Sequence, residues 1–378
     1  MKICSICIYD DRIPGIEFDE RGVCSFCKQV DFLKAQFNTG TQKGEETLFK
    51  IIEQIKKAGK GKKYDCALGV SGGTDSSYLL VKAVEWGLRP LAVHYDNTWN
   101  TSISTENIKK ITSKLNVDLF TIVVDNKEAD DLLKAFFISG TSDLDAPTDL
   151  ALAETMYRAA SKFKLNYVLE GHSFIAEGVS PLRNSYVDGK YIESVHKLFG
   201  KGKLKTFPNM KFMQFLKWTL FNRIRKIRPL WYINYSKADA QIFLEKNFNW
   251  EYYGGHHLEN RISAFSHSYF LPMRFGMDQR NNSISAAVRN KQITREEGLK
   301  EYQTEPYLEP DLLNYFKKRL ELSEEEFDRV MSSPRKSYLD FKTYKRRFEL
   351  FKPLFYVLAK VNLVPMSFYL KYCFTPKK

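Results

Sequence analysis

Cys66-Ala67-Leu68-Gly69-Val70-Ser71-Gly72-Gly73-Thr74-Asp75-Ser76-Ser77-Tyr78-Leu79-Leu80 is the stretch that decides the fold. Its first five residues form a short apolar run of the kind that fills a buried strand, and Tyr78 through Trp86 shows helical spacing. Between them, two adjacent glycines allow a tight turn and a close approach of backbone to ligand. The amide N–H groups of such a turn, with the positive end of the next helix, make an anion cradle. Ser71, Thr74, Ser76 and Ser77 add hydroxyl donors. Asp75 does not suit a plain anion site, which points to a bound metal or to a hydrogen-bonded structural role. The loop is not a Walker A sequence, which ends in Gly-Lys-Ser/Thr. The plain alternative is a Gly/Ser turn with a capping Ser or Asp.

Outward from this loop, strand and helix patterns alternate. Strands are expected at 65–70, 89–95, 118–124 and 166–170, and helices at 45–58, 76–86, 103–115, 127–138 and 149–164. Short connections imply right-handed crossovers and an α/β fold with a parallel, doubly wound sheet. Ligands of such sheets bind at the carboxyl ends of the strands, where the Ser71 loop, Asp96 and His172 all fall. From about residue 205 the pattern is mainly helical, with helices expected at 236–248, 282–291, 294–302, 310–332 and 341–351. The resulting division is a Cys-rich module (1–30), a sheet domain (45–200), a basic aromatic insertion (201–235) and a mainly helical region (236–378) that completes the substrate or partner site.

The 378 residues are 43% hydrophobic and 14% aromatic, enough for a large core. Charge interrupts every apolar run well short of the ~20 residues of a membrane span. Met1-Lys2-Ile3-Cys4 lacks a signal-peptide pattern, so a cytoplasmic location is expected. Net charge is +13, which favours a polyanionic partner: nucleotide, nucleotide-sugar, nucleic acid or acidic membrane surface. The charge is uneven, with nine basic residues and no acidic one from Lys201 to Trp231. Phe207, Phe212, Phe215, Trp218, Phe221 and Trp231 interleave them, and residues 342–378 are similar. Such a stretch fits an amphipathic helix packing its aromatic face on the core, a lid over an anionic substrate, a membrane-surface contact or a partner surface.

Cys4-x-x-Cys7 and Cys24-x-x-Cys27 are two pairs separated by sixteen residues. This spacing suits a four-thiolate Zn2+ site with each pair on a tight knuckle; a redox or iron–sulfur role is the other reading. A closed four-Cys site holds the fold and does not activate water. Cys66 reads as a core residue, and Cys373 has no partner motif.

The Ser-Gly-Gly-x-Asp-Ser loop between strand and helix resembles the PP-loop of the ATP pyrophosphatase superfamily. Further along come Val93-His94-Tyr95-Asp96-Asn97-Thr98-Trp99-Asn100, Ala146-Pro147-Thr148-Asp149 and Gly171-His172-Ser173. Tyr253-Gly254-Gly255-His256-His257-Leu258-Glu259-Asn260-Arg261, Arg274-Phe275-Gly276-Met277-Asp278-Gln279-Arg280 and Gln292-Ile293-Thr294-Arg295-Glu296-Glu297 follow. Together, from Cys4 to about Pro310, these resemble the N-acetyl sugar amidotransferase family of bacterial surface-polysaccharide and flagellar-sugar synthesis. His256 stands where that family has a lysine.

The resemblance implies an ATP-dependent, AMP-forming ligase that converts a sugar acetamido group into an acetamidino group. It implies ATP and Mg2+, and a sugar-nucleotide or nonulosonic-acid substrate. Ammonia would come from glutamine on separate partners resembling the glutaminase and cyclase-like subunits of imidazole glycerol phosphate synthase. The chain shows no N-terminal Cys nucleophile and no Gly-x-Cys-x-Gly elbow of its own.

On this reading Ser71, Gly72, Gly73, Thr74, Asp75, Ser76 and Ser77 bind the phosphates and leaving pyrophosphate, and Tyr95, Asp96 and Gly171 complete the ATP site. Asp75 or Asp149 would hold Mg2+, and His172 would contact phosphate or the reacting group. His256, His257, Arg261, Arg274 and Arg280, with Arg295, are candidates for the sugar. Asp96-Asn97 also reads as a turn and Asp149 as a helix cap. The other enzymatic reading is a PP-loop enzyme that modifies tRNA, by thiolation or base activation. Thiolation needs a cysteine at the ligand edge, where neither Cys66 nor Cys373 is well placed, so nucleic acid is the less expected partner.

Overall fold

The structure, a computed structural model, describes residues 2–179, 186–255, 258–361 and 363–374. After α1 (Ser25–Phe37) and α2 (Gln42–Ala58), five parallel strands alternate with helices. They are β1 (Cys66–Gly69), β2 (Pro90–Asp96), β3 (Leu119–Val123), β4 (Tyr167–Leu169) and β5 (Arg225–Ile227), in the order β3-β2-β1-β4-β5. Central β1 pairs on both sides, with Leu68 opposite Ala92 of β2 and Leu169 of β4. The connecting helices are α3 (Thr74–Glu85), α4 (Ser102–Leu115), α5 (Asn126–Ile138), α6 (Ala146–Lys162) and α7 (Gly189–Phe199).

Strand alternation assigns the faces. Cys66, Leu68 and Val70 point into one core with α2, α3, α4 and α9 (Lys237–Phe248). Ala67 and Val168 point into the other, under Met156, Tyr157 and Ala160 of α6. Gly69 shares that face: a Cβ there would stand 3.2 Å from Met156 Sδ, so the missing side chain lets α6 lie close on the sheet. The doubly wound α/β expectation holds, and the four expected strands are present.

The fifth strand is a departure from the expected pattern. Arg225-Lys226-Ile227, inside the basic stretch, joins the sheet edge against β4. It carries no run of apolar residues because an edge strand is only half buried, so periodicity does not reveal it. Most of the aromatics before it follow the core-packing reading, while Phe221 is 81% exposed. In α8 (Phe212–Leu216) and its π-helical continuation Lys217–Phe221, Phe212, Phe215 and Trp218 are buried, and Trp218 stacks on Tyr157 at 5.4 Å.

The C-terminal region is helical: α10 (Arg261–Phe265) running into a π-helical Ser266–Phe275, α11 (Arg280–Arg289), α12 (Arg295–Gln303), α13 (Leu312–Arg319), α14 (Glu324–Ser332), α15 (Lys345–Leu350), α16 (Lys352–Lys360) and α17 (Met366–Tyr372). The helix expected at 310–332 is two. Glu321 takes a positive φ of 51°, and Ser323 with Glu326 forms a capping box that starts the second helix afresh. Phe265, Phe316 and Phe327 of this region join Phe136 and Phe137 of α5 in a shared core, so it packs directly on the sheet domain.

Candidate active site at the sheet edge

The loop after β1 is built by its glycines. Gly72 has φ +79°, and a Cβ there would stand 2.1 Å from the Ser104 carbonyl oxygen. Its own carbonyl accepts from Asn107 Nδ2 at 3.3 Å and Trp250 Nε1 at 3.0 Å. Gly73 caps α3, and its N–H donates to Ser71 Oγ at 3.2 Å. Ser76 Oγ accepts from the Ser71 amide and donates to the Gly73 carbonyl. Gly171 closes the other side: a Cβ there would meet Ser76 Cα and N at 2.9 Å. Leu79 and Leu80 are wholly buried, each worth ~1.5–3 kcal/mol of burial, which fixes the helix whose positive end faces the loop.

Asp75 is the centre of a half-buried charge cluster that its sequence surroundings do not reveal. Tyr235 Oη donates to one carboxylate oxygen, and Lys237 Nζ stands 3.3 Å from the other. Burial works to lower the pKa of Lys237, but Asp75, Glu177 and Glu259 outweigh it and hold the ammonium above its usual range. The segment after α9 lies over the loop. An added Cβ at Gly73 would meet Tyr253 Oη at 3.1 Å and Glu259 Oε1 at 3.3 Å, both at the mouth of the anion cradle. Burial raises the Tyr253 pKa, and Glu259 and Asp75 add to the rise, so the phenol stays protonated.

Other expected residues line the same edge. Asp96 ends β2, where its Oδ1 accepts from the Thr98 amide at 2.7 Å and Asn100 Nδ2 at 3.1 Å; it organises a turn. Tyr95, expected at the ATP site, turns its side chain into the core beside α5 instead, which leaves only its backbone at the edge. His172 Nδ1 accepts from Trp231 Nε1 at 3.2 Å, and its Nε2 lies 3.4 Å from Glu177. Next to it, Lys226 (2.6 Å) and Arg228 (3.1 Å) grip Glu170. Burial opposes ionisation of Glu170, but the two cations prevail and bring its pKa down to about 2.

Asp149 lies in the first turn of α6, which is tied to the β2 end by Asn97 Nδ2 and Thr148 Oγ1 at 3.2 Å. It lines two cavities. One, of about 300 Å3, has Lys226, Arg228 and Lys371 among aromatic walls. The other, of about 320 Å3, collects Asp143, Asp145, Asp278 and His267 and is walled on one side by Asp10, Arg12 and Ile13 of the N-terminal module.

The arginines expected to clamp a sugar have structural partners. Arg280 forms a two-pronged pair with Asp278 and donates to the Thr304 carbonyl at 2.6 Å. Arg274 is 3% exposed and donates to Ser333. Arg295 donates to the Cys4 carbonyl at 2.8 Å, which locks the N-terminal module. Arg261 lies over the Tyr315 ring at 4.5 Å and 4.0 Å from Glu309, half-exposed near the mouth. His256 and His257 lie outside the described residues.

Cys4, Cys7, Cys24 and Cys27 are buried together, with all four sulfurs within 4.8 Å of one another. Cys4–Cys27 and Cys7–Cys24 are each 3.8 Å apart. A tetrahedron of Zn–S bonds near 2.3 Å has edges of ~3.8 Å, so the donor set fits zinc. Amides of Ile6, Cys24 and Cys27 donate to Cys4 or Cys24 sulfur. Arg289 reaches to 3.8 Å from Cys27 Sγ, offsetting thiolate charge. Cys66 and Cys373 are also buried.

Residues that sequence spacing does not single out thus complete the site: Glu177, Tyr235, Lys237 and Trp250. Tyr253 and Glu259 stand in a quoted motif, without a role there.

Residues 259–354 match the model of a family described as LPS biosynthesis protein WbpG-like, C-terminal domain. Among solved structures, an NMN synthetase from Francisella tularensis is 14% identical over 75% of this chain and 95% of that one, with a TM-score of 0.32. An NH3-dependent NAD synthetase from Campylobacter jejuni subsp. jejuni NCTC 11168, in complex with the nitrate ion, is 13% identical over 77% and 98%, with a TM-score of 0.32. A predicted subunit of tRNA methyltransferase from Methanocaldococcus jannaschii DSM is 13% identical over 47% and 74%, with a TM-score of 0.28. A comparison with curated protein sequences found no match. The chain thus carries a Ser-Gly-Gly-x-Asp-Ser turn after the central strand of a parallel α/β sheet, followed by a region, residues 259–354, that is similar to the WbpG-like C-terminal domain.

Proposed function

We propose that this chain is the ATP-dependent synthetase of a sugar amidotransferase, converting an acetamido group of a surface-sugar precursor into an acetamidino group. The observation that carries the reading is the meeting of two parts: Glu259, the first residue matched to the WbpG-like domain, stands against Gly73 of the PP-loop. A nucleotide loop and a lipopolysaccharide-type domain therefore share one site.

The chemistry follows from the difficulty of the substrate. An amide carbonyl is a poor electrophile, and its oxygen is a poor leaving group. Transfer of AMP from ATP to that oxygen gives an O-adenylyl imidate and releases pyrophosphate. Ammonia then adds to the activated carbon and AMP departs, leaving the amidine. The loop amides and the start of α3 would hold the pyrophosphate, with dipoles already oriented and so no reorganisation needed. Lys237 adds a fixed cation next to Asp75. Mg2+, when bound, would neutralise phosphate oxygens, and Asp75 at the loop or Asp149 in the first turn of α6 would offer it a carboxylate oxygen. The acidic cavity at Asp143 and Asp145 supplies acceptors for sugar hydroxyls. In the cysteine module, Cys4, Cys7, Cys24 and Cys27 would hold zinc, which fixes the wall formed by Asp10 and Arg12.

The ammonia would come from outside. The resemblance implies glutamine hydrolysis on a partner subunit, with a second, cyclase-like partner passing the ammonia on; the six cysteines of this chain are buried, four of them in one cluster. The same burial weighs against base thiolation. The test is AMP and pyrophosphate release by the purified chain with ATP, Mg2+, high ammonium and a panel of acetamido nucleotide-sugars and nonulosonic acids. Release that depends on one sugar, with the mass change of O replaced by NH, is expected; release that depends on tRNA and on no sugar would overturn the reading.

A further inference from the structure

The C-terminal helices α16 and α17 are apolar on two faces. Their inner face, with Phe355, Leu358, Ala359 and Tyr369, is buried in the core shared with α6 and α8. A surface helix ordinarily turns charge outward on the other side. Here the outward row of α16 is Pro353, Tyr356, Val357 and Lys360, spaced to fall on one helical face. The outward row of α17 is Met366, Leu370 and Phe374, at every fourth residue. Val357 is 56% exposed and Leu370 46%, and Leu350 before them is 75% exposed.

The two helices meet at their exposed side: the Tyr356 ring, 45% exposed, lies 5.5 Å from the inner Tyr369, and Lys352 Nζ stands 3.6 Å over the Phe374 ring, 40% exposed. Scattered apolar side chains are ordinary on a protein surface, whereas a contiguous apolar patch marks an interaction site.

Charge selects the partner. Lys342, Arg346, Arg347 and Lys360 of this segment are exposed, Lys352 is half-buried, and Glu349 is the one acidic residue between Lys342 and Phe374. We propose that the outer face of α15–α17 docks this chain on an anionic lipid bilayer. The apolar rows would enter the boundary between headgroups and acyl chains, and the cations would meet lipid phosphates. Among the described residues no helix is long and apolar enough to cross a membrane, so the helices lie on the surface. The opposite side of α17 carries Phe368 and Lys371, which line the cavity beside Asp149. Docking through α17 therefore places that cavity next to the bilayer.

The experiment is co-sedimentation of the full chain with phosphatidylcholine vesicles, with and without phosphatidylglycerol. Binding to the anionic vesicles is expected, with little to phosphatidylcholine alone and release in ~0.5 M salt. Val357→Asp with Leu370→Asp alters two exposed positions and should cut vesicle partitioning by ~10-fold or more. Circular dichroism and ATP binding, unchanged in the same variant, show that the fold and the PP-loop are intact. Absence of binding to anionic vesicles, or equal binding by the double variant, overturns the proposal. A concentration-dependent dimer that the double variant abolishes, without vesicle binding, also overturns it and assigns the face to a second copy of the chain.

Discussion

Lys237 Nζ stands 3.3 Å from the Asp75 carboxylate, a pair formed between the first turn of α3 and the first residue of α9. Tyr235 holds the same carboxylate from the other side. On the proposed reading the pair stands where pyrophosphate would leave, with the Lys237 ammonium beside the Asp75 carboxylate. Lys237→Met removes the cation that Asp75, Glu177 and Glu259 stabilise. Sugar-dependent pyrophosphate release should fall by ~10²-fold or more, the size seen when one preorganised charge-stabilising donor is lost. Lys237→Arg should recover much of it. Turnover in Lys237→Met equal to the parent would remove the pair from the mechanism.

Gly72→Ala tests the shape of the loop rather than its charge. The positive φ disfavours any side chain, and the Ser104 carbonyl occupies the place of the Cβ. A loss of ~2 kcal/mol or more in folding stability is expected, together with loss of pyrophosphate binding by calorimetry. Gly61→Ala is the control. It shares a φ of +77° but has open space around it, so it should cost only ~1 kcal/mol and leave pyrophosphate binding unchanged. Equal behaviour of the two variants would show that backbone strain alone, and not the fit against Ser104, governs the loop.

The cysteine module should carry zinc at about one equivalent per chain, read by elemental analysis. Cys24→Ser should abolish it. Arg295→Ala, which keeps all four thiols but frees the Cys4 carbonyl, should retain the metal while lowering stability by ~1–3 kcal/mol. A chain purified anaerobically with iron and an absorption spectrum to match would assign the site to a cluster.

Most of the sheet was legible because its signals are local. A buried strand announces itself by an apolar run, and a Gly-Gly turn before a helix by residues next to one another. The cysteine spacing is local in the same sense, and the structure brings those sulfurs to the separation a metal needs. The edge strand Arg225–Ile227 was hidden because half-burial leaves no period to read. The charge cluster was hidden for a different reason. Asp75, Glu177, Lys237 and Glu259 come from separate elements, and only the folded chain brings them together. The arginines failed in the opposite direction: residue type suggested anion clamps, but Arg280 and Arg295 spend their donors on Asp278, Thr304 and Cys4. A cation in a motif reads the same whether it binds a ligand or a carbonyl.

Asp143 carries the clearest pH signature. It lines the acidic cavity, where burial pushes its carboxyl up to about 6, and the Tyr191 hydroxyl bonded to it at 3.1 Å opposes the shift only in part. In the unfolded chain the same group titrates near ~3.9. Between these values the folded chain binds more protons than the unfolded one, so stability falls as pH rises from about 4 to 6 and stays lowered above that window. Holding the carboxyl that far above its free value corresponds to ~3 kcal/mol. Asp143→Asn keeps an oxygen for Tyr191 and removes the titration. It should therefore raise stability by ~1–3 kcal/mol at pH 8 and change little at pH 4, measured by urea unfolding at both. An equal effect at the two pH values would mean that Asp143 is ionised at no cost in the folded chain. The acidic cavity would then be open enough to water that its carboxylates offer no special hold on a sugar.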